Sequence, residues 1–335
     1  MSAPAVVVVV SEELMAEFFS DADLARLRAT ADALGGGMVR VDGLADLDAA
    51  DLADARVVVT SWGAVPFDAA LLARLPRLEL VAHTGATVKF FATDELFARG
   101  VRITQAGLAM ARPVAEVSLT FTLMLLHRVA ELGEALREPG GWYAPSIGAQ
   151  HQILGTPIAV VGASRTGRSY LQLIRALGAR PLLVDPTLDA AQAAELGAEK
   201  AELDDALRQA RIVALHAPTL PATRHMIGAR ELALMPDGAG MVNTARSWLT
   251  DEAALEAELR TGRIAAAIDV FDEEPMPRHS VLRTLPNVVL TPHRAAGTVE
   301  GRLDQGRIVA DEVEAFAAGR PLQHVITRAQ LDVMA

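Results

Sequence analysis

Nine short runs rich in β-branched and aliphatic residues punctuate this chain, and alanine- and leucine-rich stretches with helical spacing lie between them. The runs are Val6–Val10, Val57–Thr60, Leu78–His83, Ile158–Val161, Leu182–Val184, Ile212–Leu215, Met241–Asn243, Ala265–Asp269 and Val288–Leu290. Runs that are apolar throughout suit strands covered on both faces, as in a parallel sheet built from βαβ units. The pattern therefore predicts an α/β chain. Its runs fall into two groups, separated by a helical stretch over about Val114–Leu136 and by the polar passage REPGGWYAPSIGAQHQILG, which reads as a surface loop. Two doubly wound parallel-sheet domains follow, and 335 residues suffice for a core in each. An amphipathic helix, roughly Val299–Ala318 and closed by Gly319, comes after the last run.

Composition narrows the function. With 31 basic and 42 acidic side chains the formal charge is −11, and no basic block stands out, so a nucleic acid backbone would be repelled. Cysteine is absent, which excludes disulfides, thiolate metal sites and a thiol nucleophile. The Ala5–Val10 stretch is too short for a signal core, and the uncharged run between Glu116 and His127 is about half of a bilayer crossing. A soluble, cytoplasmic protein with no metal, membrane or nucleic acid partner is expected.

The segment AVVGASRTGRSY, residues 159–170, nearly matches the dinucleotide-binding fingerprint G-x-G-x-x-G. Gly162 permits the tight turn and Gly167 the close helix packing, but Ser164 stands at the middle position, where the backbone must approach a pyrophosphate. Serine narrows that approach, yet its hydroxyl can donate to a phosphate oxygen, and a helix starting near Thr166 offers free N–H groups. A generic strand-turn-helix is the alternative reading. Asp185 closes the next run, 18 residues after Gly167, where a carboxylate accepts from ribose hydroxyls and repels a 2′-phosphate. Loop and aspartate together favour NAD over NADP.

Three later runs end in polar groups: MVNTARSW carries Arg246, AAAIDVFDEEP carries Asp269 and Glu274, and VVLTPH carries His293. Ligands bind at the carboxyl ends of strands in open α/β sheets. Reducing a 2-oxo acid needs a cation for the carboxylate and a proton donor for the forming alkoxide. Arg246 has the forked donors for the first task, and His293 beside a carboxylate suits the second, with Glu274 as its candidate partner. Taken singly, each of these residues reads as a loop or a solvated turn; their joint order carries the argument.

At these residues the chain resembles the D-isomer-specific 2-hydroxyacid dehydrogenase family. The resemblance runs from about Val57 to Thr298, on RPVAE, VVGASRTGR, IVALHAPTLPATRHMI, MVNTARS, GRIAAAIDVFDEEP and NVVLTPH. It implies hydride transfer between NAD(H) and a 2-oxo or D-2-hydroxy acid, with Arg246 on the substrate carboxylate and His293 and Glu274 as the acid/base pair. It also implies that Asp269 and the backbone of Thr244 and Ala245 hold the nicotinamide carboxamide. Arg165 and Thr166 would lie by the pyrophosphate, and Ala217, Pro218 and Thr223 on the adenosine side. Backbone N–H groups of Ala86 and Thr87 would meet the substrate carboxylate, while Ser61 and Trp62 would face its variable end. Trp62 suggests an apolar or bulky substituent, unless it packs on its own loop. The implied architecture is a flavodoxin-like substrate domain, residues 1–109 with 300–335, and a Rossmann nucleotide domain, residues 110–299, in a homodimer.

Some positions depart from the family pattern. Thr87 and Lys89 replace a glycine and an aspartate, Met110 a frequent asparagine, Ser247 a glycine, and Arg294 an aliphatic residue. Lys89 and Arg294 are candidate cations for a second anionic group. The rival function is an NAD(H)-sensing regulatory protein with little turnover, since C-terminal-binding corepressors share this resemblance.

Overall fold

The computed structural model describes residues 4–48, 52–142 and 147–333. The polar passage before the second group of strands is therefore only partly described, with residues 143–146 outside it. Two compact units result, Met1–Met110 with Gly297–Ala335, and Ala111–Ala296.

The first unit holds a parallel sheet of β1 (Pro4–Val9), β2 (Gly37–Val41), β3 (Val57–Thr60), β4 (Leu80–His83) and β5 (Arg102–Gln105), in the order β2-β1-β3-β4-β5. Side chains alternate across it. Val7, Val58, Val81 and Ile103 pack on one face with Phe67, Leu75 and Phe91, while Val6, Val8, Val57 and Leu80 pack on the other. The second face is covered by helix Asp21–Ala33 through Leu27 and by helix Val299–Ala317 through Val309, Val313 and Phe316. This placement assigns the late helix, which periodicity alone leaves free, to the first unit.

The second unit holds β6 (Pro157–Val161), β7 (Arg180–Val184), β8 (Glu199–Lys200), β9 (Ile212–Leu215), β10 (Gly240–Asn243), β11 (Ala265–Ile268) and β12 (Val288–Leu290). Their order is β12-β11-β10-β9-β6-β7-β8, and every pairing is parallel. Strand order reverses between β6 and β9, which opens a crevice at their carboxyl ends. Two apolar clusters fill the faces of this sheet, one around Val161, Leu215 and Met241 and one around Ile158, Val160 and Ile174.

The single helix expected over Val114–Leu136 is two helices, Ala111–Leu126 and Val129–Arg137. Arg128 separates them at φ +51°, a left-handed conformation that no α-helix carries through, and its guanidinium binds Glu131 at 2.8 Å.

Candidate active site

The nucleotide loop is built around the crevice between β6 and β9. Gly162 has φ +100°, and a Cβ there would come within 2.6 Å of the Ala217 backbone. At Gly167 a Cβ would sit 2.2 Å from the Gly162 carbonyl oxygen. Backbone cannot yield as a flexible side chain can, so both positions require glycine. Ser164 caps helix Arg165–Ala176, accepting from the Gly167 N–H at 3.2 Å. Its hydroxyl proton remains available as a donor, and the first-turn amides of Arg165 and Thr166 have no partner within the helix. Helix start and loop thus fit a dinucleotide's phosphates, even with serine at the middle position.

Asp185 follows β7 directly and faces this loop. Its Oδ2 accepts from the Ala163 N–H at 2.7 Å, and its Oδ1 accepts from the N–H and hydroxyl of Thr187 at 2.9 and 2.6 Å. Burial would push the carboxyl up, but the Thr187 hydroxyl, the two amides and the charge of Arg168 hold it below the usual carboxylate range. Arg168 also donates from Nε to the Ala163 carbonyl at 2.9 Å, a brace that the sequence reading missed. Beyond β9, Ala217 is buried, and Thr223 donates from its hydroxyl to the Pro218 carbonyl at 2.7 Å, closing that loop on itself.

Arg246, Glu274 and His293 follow the neighbouring strands β10, β11 and β12. His293 Nδ1 lies 2.7 Å from Glu274 Oε2, and Glu274 Oε1 accepts from the Phe271 N–H at 3.0 Å. The carboxylate is thus fixed from two directions. His293 has φ +51°, uncommon for a residue with a Cβ, and its N–H donates to the Thr291 carbonyl at 3.1 Å. Arg246 is half-buried; burial holds its guanidinium below the usual arginine range, and the charge of Glu274 acts in the opposite direction. Its Nη1 donates to the Ala245 carbonyl at 2.6 Å.

The supports of these side chains are mostly residues the sequence reading left out. Asn243 accepts from the Ala245 N–H at 3.1 Å and donates to the Arg246 carbonyl at 3.0 Å, so one amide grips the backbone on both sides of the turn. Its position at a strand end before a turn is the available signal, because asparagine favours such local bonds. Thr244 Oγ1 lies 2.7 Å from the hydroxyl of Ser118, on helix Ala111–Leu126, and nothing in the sequence foretells that long-range pair. Asp269 is 1% exposed, and its carboxylate accepts from the Thr291 hydroxyl at 2.5 Å and the Arg294 and Ala295 N–H groups at 2.9 and 3.0 Å. These bonds anchor the segment that presents His293.

In the first unit, Ser61 is buried and accepts from the Thr84 hydroxyl at 2.9 Å, and Trp62 beside it stays 41% exposed. Ala86 and Thr87 follow β4 and are partly exposed. Among the described residues, no cluster of three or more His, Asp or Glu side chains could hold a metal ion, and no helix is long and apolar enough to cross a membrane.

The family described as D-isomer specific 2-hydroxyacid dehydrogenase, NAD binding domain, matches residues 119–295. A glyoxylate reductase of Aeropyrum pernix is 33% identical over 268 residues, covering 78% of this chain and 80% of its own length. A D-3-phosphoglycerate dehydrogenase of Mycobacterium bovis is 36% identical over 257 residues, covering 76% of this chain and 48% of its own, so this chain matches about half of that relative. Among solved structures, the TT0316 protein of Thermus thermophilus superposes with a TM-score of 0.80 at 25% identity, over 96% of this chain and 99% of that one. The chain therefore belongs to the D-isomer-specific 2-hydroxyacid dehydrogenases, a family of NAD-dependent oxidoreductases, and residues 119–295 are its NAD-binding domain.

Proposed function

We propose that the protein interconverts a 2-oxo acid and the corresponding D-2-hydroxy acid, with Arg246 binding the substrate carboxylate and His293 and Glu274 acting as the acid/base pair. The observation that carries this reading is the 2.7 Å contact between His293 Nδ1 and Glu274 Oε2 beside an arginine that feels the same carboxylate. With Nδ1 engaged, Nε2 is the nitrogen left to exchange a proton with the substrate oxygen. Glu274 stabilises the imidazolium when His293 is charged, and Arg246 supplies the forked cation that orients a planar carboxylate. NAD(H), when bound, supplies or accepts the hydride.

In the same reading Gly162, Ser164, Arg165, Thr166 and Gly167 cradle the cofactor's phosphates, Asp185 receives the adenosine ribose, and Ala217, Pro218 and Thr223 border the adenosine. Thr244, Ala245 and Asp269 stand by the nicotinamide; an Asp269 that already accepts three bonds has limited capacity left for a carboxamide. Ala86 and Thr87 meet the substrate carboxylate with backbone N–H groups, and Ser61 and Trp62 meet its variable end. The unit of Met1–Met110 with Gly297–Ala335 is then the substrate domain. The reading includes a cytoplasmic location and a homodimer. Helix Val129–Arg137 supports the latter, since it buries none of its residues and leaves Val129 and Leu136 exposed, and Trp142, shortly after it in the chain, is 84% exposed.

The test is NADH oxidation by the purified protein with glyoxylate, pyruvate, hydroxypyruvate and bulkier 2-oxo acids, with the configuration of the product determined by chiral chromatography. Turnover to the D-hydroxy acid, abolished in His293→Ala, is expected. No turnover on any acid, or turnover that His293→Ala leaves intact, would refute the assignment.

A further inference from the structure

Helix Ala111–Leu126 contributes no residue to the proposed site, yet four hydroxyl groups meet along it away from water. Tyr170, Thr122 and Ser118 are fully buried, and Thr244 is 5% exposed. Each hydroxyl has a single proton, which fixes the direction of the bonds. Thr122 donates to the Ser118 carbonyl at 2.8 Å, so the Tyr170 hydroxyl, 2.6 Å away, is the donor to Thr122. Ser118 donates to the Val114 carbonyl at 2.8 Å, so in its 2.7 Å contact with Thr244 it can only accept. The proton of Thr244 is thereby committed to Ser118.

Thr244 opens the turn that carries Arg246. Asn243 bonds the Ala245 N–H and the Arg246 carbonyl and so sets the shape of this turn, but it lies at the end of the turn's own strand and ties it to no second element. Ser118 supplies that tie. The guanidinium moves with the turn, because Arg246 Nη1 donates to the Ala245 carbonyl at 2.6 Å. With alanine at position 118 the Thr244 hydroxyl would stay buried without its acceptor, and rotation of the turn is the relief open to it.

We propose that Ser118 is a positioning residue, which through its bond to Thr244 sets where Arg246 meets the substrate carboxylate. This inference rests on the role of Arg246 in the 2-oxo acid reading above and adds a residue that touches neither reactant. A misplacement of about 1 Å can cost about a hundredfold in rate, so a forked cation on a planar carboxylate is sensitive to a small rotation. In the same reading the cofactor is held mainly by the loop after β6 and by Asp185, which this turn does not support.

The experiment measures kcat and KM for the best 2-oxo acid, NADH dissociation by fluorescence, and Tm in the wild-type protein, Ser118→Ala, Thr244→Val, the double variant and Thr122→Val. Ser118→Ala is expected to raise the KM of the 2-oxo acid by about tenfold and to change NADH dissociation by less than about twofold. Alanine favours the helix, so the variant folds. Thr244→Val removes the donor at the other end of the bond, and the double variant is expected to be no worse than the poorer single one. Thr122→Val breaks the Tyr170 bond on the same helix and is expected to lower Tm without moving that KM, which marks a purely structural loss. A KM unmoved in Ser118→Ala, an equal rise in Thr122→Val, or effects that multiply in the double variant overturns the positioning role and leaves the 2-oxo acid reading standing. Absence of wild-type turnover on every acid overturns both.

Discussion

In the proposed site, removing the Arg246 guanidinium would leave an anionic substrate without its forked partner and Glu274 without a nearby cation. Arg246→Ala should therefore lower kcat/KM for the best 2-oxo acid by about 2–5 kcal/mol in transition-state binding, read from the ratio to wild type. Dissociation of NADH, followed by fluorescence, should change little. Asp185 makes the opposite kind of contribution, by exclusion. Its carboxyl is held below the ordinary range, and in the proposed site that charge would repel a 2′-phosphate. Asp185→Ala should raise the NADPH-to-NADH ratio of kcat/KM by at least about tenfold. It should also weaken NADH binding, since the Ala163 N–H loses its acceptor. An unchanged ratio would remove Asp185 from the cofactor's ribose.

At the scale of elements, the loop between β6 and helix Arg165–Ala176 keeps the tight turn and the capped helix start of the fingerprint although its middle glycine is missing. Gly162 and Gly167 are fixed by backbone contacts that no other residue could accept, whereas Ser164 works as the helix cap. Ser164→Ala should destabilise the protein by about 1 kcal/mol, and Ser164→Gly by only a few tenths, measured by chemical denaturation. Equal losses would mean that the cap bond contributes nothing. The central strands were legible because burial on both faces makes them continuously apolar, as in Val57–Thr60 and Ile212–Leu215, where expected and observed limits coincide. The strands the sequence concealed are β2, β5 and β8. Arg40 and Arg102 interrupt two of these runs, and Glu199–Lys200 is only two residues long. The break at Arg128 was hidden for another reason: the apolar spacing continues through it, and only the left-handed backbone ends the helix. At the site, charged residues at strand ends stand out in the sequence, and Asn243 acts through local bonds within its own turn, whereas Ser118 acts through Thr244, a partner that only the fold brings near.

Across the whole molecule, each unit buries a neutral histidine at a strand end. Burial pushes His83 down to about 4 and His216 down to about 3, from an ordinary value of 6.5. The unfolded chain therefore binds protons that the folded chain refuses once pH falls below about 6.5. Stability is full above that point and is lost as pH descends toward 4 for His83 and 3 for His216, at about 1.4 kcal/mol per pH unit for each. The drop in Tm between about pH 7 and pH 4.5 should shrink in His216→Phe, which keeps a ring but cannot take a proton. A drop identical to wild type would contradict the linkage. In the proposed reaction a carboxylate-supported imidazole delivers the proton to an anchored 2-oxo acid. Its most direct test is single-turnover oxidation of bound NADH by a saturating 2-oxo acid, comparing wild type with His293→Gln. The single-turnover rate should fall by about a thousandfold or more with NADH affinity preserved. An undiminished rate in His293→Gln would contradict it.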